Sequence, residues 1–82
     1  MIVRVRLFAR ARDLAGTDIV SVELTPNAAI ADLRRQLATQ IPTLGSLLAR
    51  SALAVNQEFA HDDDALTDDA EVALVPPVSG GQ

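Results

Sequence analysis

Two stretches of this 82-residue chain hold residue types that could do chemistry. The first is His61-Asp62-Asp63-Asp64, which joins the only histidine to three carboxylates. A metal site needs ligands converging from fixed elements, and a run of four polar neighbours reads instead as a solvated loop. No Ser-His-Asp set follows either, because nothing directs His61 to a particular serine. The second stretch is the ending, Val75-Pro76-Pro77-Val78-Ser79-Gly80-Gly81-Gln82. Proline donates no N–H, so Pro76-Pro77 stops sheet pairing and favours an extended segment. Glycine lacks a Cβ, so Gly80-Gly81 can pass through a narrow channel in any backbone conformation. The stretch from Pro76 to Gly81 reaches roughly 20 Å when extended, at about 3.3–3.6 Å per residue. Such a segment can leave a folded domain and enter a partner.

The elements that would carry this tail belong to one small domain. The chain is 49% hydrophobic and 22% charged, which is a globular rather than a disordered composition. The absence of cysteine removes disulfides, thiolate metal sites and cysteine nucleophiles, and fits a reducing compartment. No apolar run approaches the ~20 residues of a membrane span, and MIVRVRLFAR does not read as a signal peptide. A cytoplasmic protein without membrane attachment is expected. Net charge is −4, unevenly spread. Arg4, Arg6, Arg10 and Arg12 give the first twelve residues +4, and the remainder carries −8 with no lysine anywhere. An acidic chain with only Phe8 and Phe59 as aromatics is a poor nucleic-acid binder, lacking both phosphate neutralisation and base stacking.

Periodicity sets the elements. Ile2–Phe8 alternates, with Val3, Val5 and Leu7 on one face and Arg4, Arg6 and Phe8 on the other, as in a half-buried strand. Ala15-Gly16-Thr17-Asp18 reads as a turn, and Ile19–Leu24 alternates again. Asn27 is a candidate helix N-cap. Ile30, Leu33, Leu37 and Ile41 then fall at helical spacing, predicting a helix over roughly 28–40 that Pro42 ends, with Arg34 and Gln36 off its apolar stripe. Leu44, Leu47 and Leu48 suggest a short helical turn. Leu53-Ala54-Val55 and Glu58-Phe59-Ala60 flank a tight turn at Asn56-Gln57. Glu71–Val75 closes the series, with Val72 and Leu74 facing inward. The order β-β-α-β-β-β predicts an α+β fold, a mixed five-stranded sheet with one main helix on one face and the first and last strands parallel at its centre. This is the β-grasp, or ubiquitin-like, arrangement. The domain is expected to span 1–75 and the flexible tail 76–82.

If the first strand ran on to residue 12, Arg4, Arg6, Phe8, Arg10 and Arg12 would line the face that the helix leaves bare. Phe59 and Val75 are expected to join Phe8 there. An exposed apolar cluster rimmed by arginine is a docking patch in outline.

The ending LTDDAEVALVPPVSGG, the early segment Phe8-Ala9-Arg10-Ala11-Arg12-Asp13-Leu14-Ala15-Gly16 and the hairpin Ala54-Val55-Asn56-Gln57 together resemble the molybdopterin synthase small subunits of the MoaD/ThiS family of ubiquitin-like sulfur carriers. A double glycine alone is weak evidence; one following Pro-Pro-Val-Ser at the end of a β-grasp pattern is specific. The resemblance implies that the carboxylate of Gly81 is adenylated by an adenylyltransferase of the ubiquitin-activating type, which uses ATP. It implies that a persulfide from a sulfur donor protein then displaces AMP, leaving a covalent thiocarboxylate on Gly81. The charged carrier docks on the large subunit of the synthase, as a heterotetramer of two small and two large chains. Its sulfur passes to cyclic pyranopterin monophosphate during molybdenum cofactor biosynthesis. The large subunit supplies the catalytic groups, so this chain is not catalytic alone and holds no stable cofactor or metal. Matched by position, Phe8, Phe59 and Val75 fall where the family keeps apolar residues against the large subunit, and Arg12 matches a family arginine in those contacts.

Two positions depart from the family. Asp69 stands where relatives often have glycine in a turn. Gln82 leaves Gly81 in a peptide bond, and an amide carbonyl is not adenylated. Either Gln82 is removed first, or it lies outside the working protein, or this chain is not charged. Other readings are a sulfur carrier for thiamine or cysteine synthesis, a ubiquitin-like modifier joined through Gly81 to lysines of other proteins, and a binding module with an inert tail.

Overall fold

In a computed structural model, which describes residues 1–77, the alternations seen in the sequence become the two faces of a sheet. Strand β1 (Ile2–Leu7) buries Val3, Val5 and Leu7 and exposes Ile2, Arg4 and Arg6. A short helix α1 (Ala9–Ala15) follows, then β2 (Ile19–Glu23), which buries Val20 and Val22. Helix α2 (Ile30–Gln40) buries Ile30, Leu33 and Leu37 along one stripe. A 3-10 turn at Pro42–Leu44 and helix α3 (Gly45–Leu48) add Leu44, Leu47 and Leu48 to the same core. Strands β3 (Ala52–Val55), β4 (Glu58–Phe59) and β5 (Glu71–Val75) complete a single sheet in the order β2-β1-β5-β3-β4.

β1 and β5 run parallel, with Val5 level with Val72 and Leu7 level with Leu74. Parallel neighbours need a long crossover, and everything from α1 to β4 supplies it. The other pairings are antiparallel. The β3–β4 hairpin turns through Asn56 and Gln57, at φ 51° and 72°. Two left-handed central residues match the right-handed twist of the flanking strands, as in a type I′ turn. The Asn56 side chain also ties this turn to β5: its Oδ1 accepts the Glu71 N–H at 3.0 Å, while the Asn56 N–H donates to the Glu71 carbonyl at 2.8 Å.

Two local expectations need correction. The first strand does not run on to residue 12. It ends at Leu7, and residues 9–15 form α1. Ala9-Arg10-Ala11-Arg12 favours helix intrinsically. Ala11 is buried and Leu14 and Ala15 pack against the core, which gives the segment an inner face at helical spacing. Gly16, at φ 75°, ends it by donating its N–H to the Arg12 carbonyl at 2.8 Å. Arg10 and Arg12 are therefore exposed on a helix and do not line the sheet face.

Asn27 is not the N-cap of α2; it sits in the preceding turn at φ 69°. The helix starts at Ile30 rather than 28, and the Asp32 carboxylate accepts the Ala29 N–H at 2.9 Å. The first free N–H groups of the helix are met by backbone. Ile30 donates to the Asp64 carbonyl and Ala31 to the Asp62 carbonyl, both at 2.9 Å. The His61–Asp64 loop is thus a main-chain cap for α2, and its side chains are exposed.

Arg34 lies off the apolar stripe yet is not a solvent residue. Its Nη1 donates to the carbonyls of Leu48 at 2.7 Å and Ser51 at 2.9 Å, and its Nη2 reaches Asp62 at 3.2 Å. One guanidinium thereby fastens the end of α3 and the 61–64 loop to α2. Among the described residues, no helix is long and apolar enough to cross a membrane.

Candidate functional site

The helices and their leucines cover one face of the sheet. Among the described residues nothing covers the other face, and the register shows which residues meet on it. Paired residues in a sheet share a face. Arg6 is level with Ile19 on β2 and with Ala73 on β5; Ala73 is level with Ala54 on β3, and Ala54 with Phe59 on β4. One row therefore crosses all five strands: Ile19, Arg6, Ala73, Ala54, Phe59. In the next row toward the end of β5, Val75 is level with Ala52. Phe8 directly follows Leu7, the partner of Leu74, so it comes level with Val75.

Phe8, Phe59 and Val75 thus lie in adjacent rows of one face, as the sequence leads one to expect. Phe59 is 72% exposed and Phe8 47%, and Val75 is half-buried. The three alanines between them are small, so the centre of the face is low. Ala54 and Ala73 form part of a hollow of about 250 Å³ that Phe8, Arg6 and Gln57 also line. Phe8 has extended backbone angles, φ −128° and ψ 156°, although α1 begins at the next residue. Ala9 makes the change of direction in a left-handed conformation, φ 50°. A non-glycine residue there is strained.

Pro76, half-buried, and Pro77, exposed, follow directly on β5, so the tail departs beside Phe8 and Val75. Val78, Ser79, Gly80, Gly81 and Gln82 lie outside the described residues. Arg12 is exposed on α1 rather than in the rows of the sheet. His61 and Asp64 are both exposed, with Nδ1 4.0 Å from Oδ2, while Asp62 is engaged with Arg34. Sequence reasoning did not single out Ile2 and Ile19, which are 60% and 40% exposed on the same bare face. The signal was present, since both occupy the outward parity of strands whose inward positions are all valine or leucine.

The described surface thus offers a shape for docking and an exit for a tail rather than a set of reacting groups. Residues 5–81 match the ThiS family. The molybdopterin synthase sulfur carrier subunit of Chlamydomonas reinhardtii is 39% identical over 99% of this chain and 100% of its own. That of Escherichia coli (strain K12) is 38% identical over 96% of this chain and 99% of its own. The crystal structure of small archaeal modifier protein 1 from Haloferax volcanii superposes with a TM-score of 0.85, at 28% identity over 94% of this chain and 98% of that one.

Proposed function

Since this chain belongs to the ThiS family, among the MoaD/ThiS ubiquitin-like sulfur carriers, we propose that it is the sulfur carrier subunit of a molybdopterin synthase. The observation that carries this reading is its end-to-end similarity to proteins of that name, in a chain whose Pro76-Pro77 follows β5 beside an exposed apolar patch.

In this reading, Gln82 is lost and Gly81 ends in a free carboxylate. An adenylyltransferase of the ubiquitin-activating type joins that carboxylate to AMP, using ATP and releasing pyrophosphate. The acyl carbon is then electrophilic; the outer sulfur of a donor protein's persulfide displaces AMP to form an acyl disulfide, and a thiol cleaves its S–S bond, ending in a disulfide with the donor cysteine, to leave the thiocarboxylate. The carrier docks through Phe8, Phe59 and Val75, with Arg12 at the margin, on the large subunit, in a complex of two small and two large chains. Pro76-Pro77 holds the tail off the sheet, and Val78-Ser79-Gly80-Gly81 carries the sulfur to cyclic pyranopterin monophosphate. The large subunit supplies the catalytic groups, and the carrier contributes reach and sulfur. Residence in the cytoplasm belongs to the same proposal and fits the cysteine-free composition.

The test is reconstitution. A chain ending at Gly81 and bearing a thiocarboxylate, mixed with the large subunit and the cyclic pyranopterin, is expected to yield dithiolene product stoichiometric with the sulfur supplied. The same chain still carrying Gln82 is expected to yield none. Product that does not depend on the thiocarboxylate would refute the reading. A second reading, a ubiquitin-like modifier, is favoured by the likeness to small archaeal modifier protein 1. It predicts isopeptide-linked remnants of this tail on lysines of other proteins, detectable by peptide mass spectrometry.

A further inference from the structure

The root of the tail has cationic side chains around it, and none of them is an amine. Phe8 and Ala52 are both level with Val75, so the segments joined to them stand at the end of the sheet where the tail departs. Arg10 follows Phe8 on α1 and Arg50 precedes Ala52, and both are exposed. With Arg12 they make three guanidiniums within the roughly 20 Å that Pro76 to Gly81 spans. All seven cationic side chains of the chain are arginine. Arg34 uses the forked shape of its guanidinium to join Leu48, Ser51 and Asp62. The other six are exposed, where an ammonium group would serve solubility as well. What sets them apart from lysine is reactivity: a guanidinium is not a nucleophile in water, whereas a lysine amine attacks acyl groups.

The groups that could attack lie at the other end. Among the described residues the one aliphatic amine is that of Met1, which donates to the Leu24 carbonyl at 2.6 Å. Its place in the chain before Phe8 puts it about 23 Å down the strand, at about 3.3 Å per residue. That is slightly more than the tail spans, before any length is used in turning back. His61 stands at the same end as Met1, because its loop caps α2, and α2 follows the end of β2 that is level with Ile2. At the tail end, the hydroxyls of Thr17, Thr43 and Ser51 each donate to a main-chain carbonyl, at 3.1, 3.2 and 2.6 Å. A hydroxyl needs a base to take its proton before it attacks, and the only histidine is at the far end.

We propose that the end of the domain around the tail is kept free of nucleophiles, so that Gly81, once activated, cannot acylate its own chain; Arg10, Arg12 and Arg50 place positive charge there without an attacking amine. This rests on the reading of Gly81 as an activated acyl group, and it adds how the activated form survives until a partner takes it. The reaction avoided is aminolysis. A lysine nitrogen would bond to the Gly81 carbonyl carbon, the bond from that carbon to its leaving group would break, and the amine proton would pass to water. The product, a ring closed by an isopeptide bond, could not accept sulfur. An amine tethered beside the tail would act at an effective concentration on the order of millimolar, with no encounter needed.

The test uses chains ending at Gly81 as C-terminal thioesters of a small thiol, a free acyl donor that stands in for the adenylate and the acyl disulfide. They are wild type, Arg10→Lys, Arg50→Lys and Arg10→Gln, each first shown by thermal unfolding to be folded. Intact mass after incubation in mildly alkaline buffer separates hydrolysis to the free acid from ring closure, whose product is lighter by one water. Ring closure in Arg10→Lys and Arg50→Lys is expected to exceed that in wild type and Arg10→Gln by about tenfold or more. Yields in both lysine variants no higher than in wild type would overturn the inference, and so would a yield in Arg10→Gln equal to that in Arg10→Lys. The wild-type free acid is also given to the adenylyltransferase with ATP, and release of pyrophosphate is expected. Its absence would remove the sulfur-carrier reading, and this inference with it, whatever the thioesters do.

Discussion

Phe59→Ala separates docking from folding more cleanly than any other change on the face. Phe59 is 72% exposed, so it contributes little to the free domain. A phenylalanine side chain has roughly 200 Å² to bury, of which about 145 Å² is therefore still open to a partner. At about 25 cal/mol per Å² that area corresponds to about 3.6 kcal/mol when fully covered. Incomplete covering and the ordering of the ring reduce it, so the expected loss on truncation is about 2–3.5 kcal/mol. The dissociation constant for the large subunit should rise roughly 30- to 400-fold. Stability should change by no more than about 0.5 kcal/mol, as for other exposed positions. Calorimetric titration and urea unfolding of the same preparations give the two numbers. An affinity within threefold of wild type would refute the docking face. A loss of stability as large as the loss of affinity would refute the separation of roles.

Three further changes probe other parts of the account. Phe8→Asp should weaken the same association while leaving the far-ultraviolet dichroism unchanged, because its ring borders the hollow and not the core; unchanged affinity by calorimetry counts against it. Arg34→Ala should destabilise the domain by about 1–3 kcal/mol, because the Leu48 and Ser51 carbonyls lose their charged donor. Hydrogen exchange should then accelerate first in residues 44–51. Gly16→Ala should cost about 1 kcal/mol in denaturant unfolding. No atom outside the local chain lies within 4 Å of the added methyl, so the left-handed φ of 75° is the whole cause.

The alternating strands were legible in the sequence because burial follows side-chain parity. Val3, Val5, Val20, Val22, Val72 and Leu74 all face inward as their spacing predicts. The helix stripe of Ile30, Leu33 and Leu37 was legible for the same reason at a period near 3.6. Helix α1 was not, since its arginines continue the even-numbered pattern of β1 and disguise the change of period. Only Gly16 and the high helix propensity of Ala9–Ala15 marked it. Asn27 misled because the true cap is tertiary: the carbonyls of Asp62 and Asp64 come from a loop some thirty residues later. The clasp of Arg34 depends on the placement of α3 and could not be read from spacing. On the face itself, Phe8, Phe59 and Val75 were legible, and the outward parity of Ile2 and Ile19 was too, although only the strand register shows Ile19 in one row with Arg6 and Ala73.

The sulfur-carrier account stands or falls on the chemical state of the tail, and the intact mass of the untagged protein from its own cells reads that state directly. The account predicts a species ending at Gly81, with a fraction heavier by the exchange of one oxygen for sulfur. A single species that still carries Gln82 would contradict it.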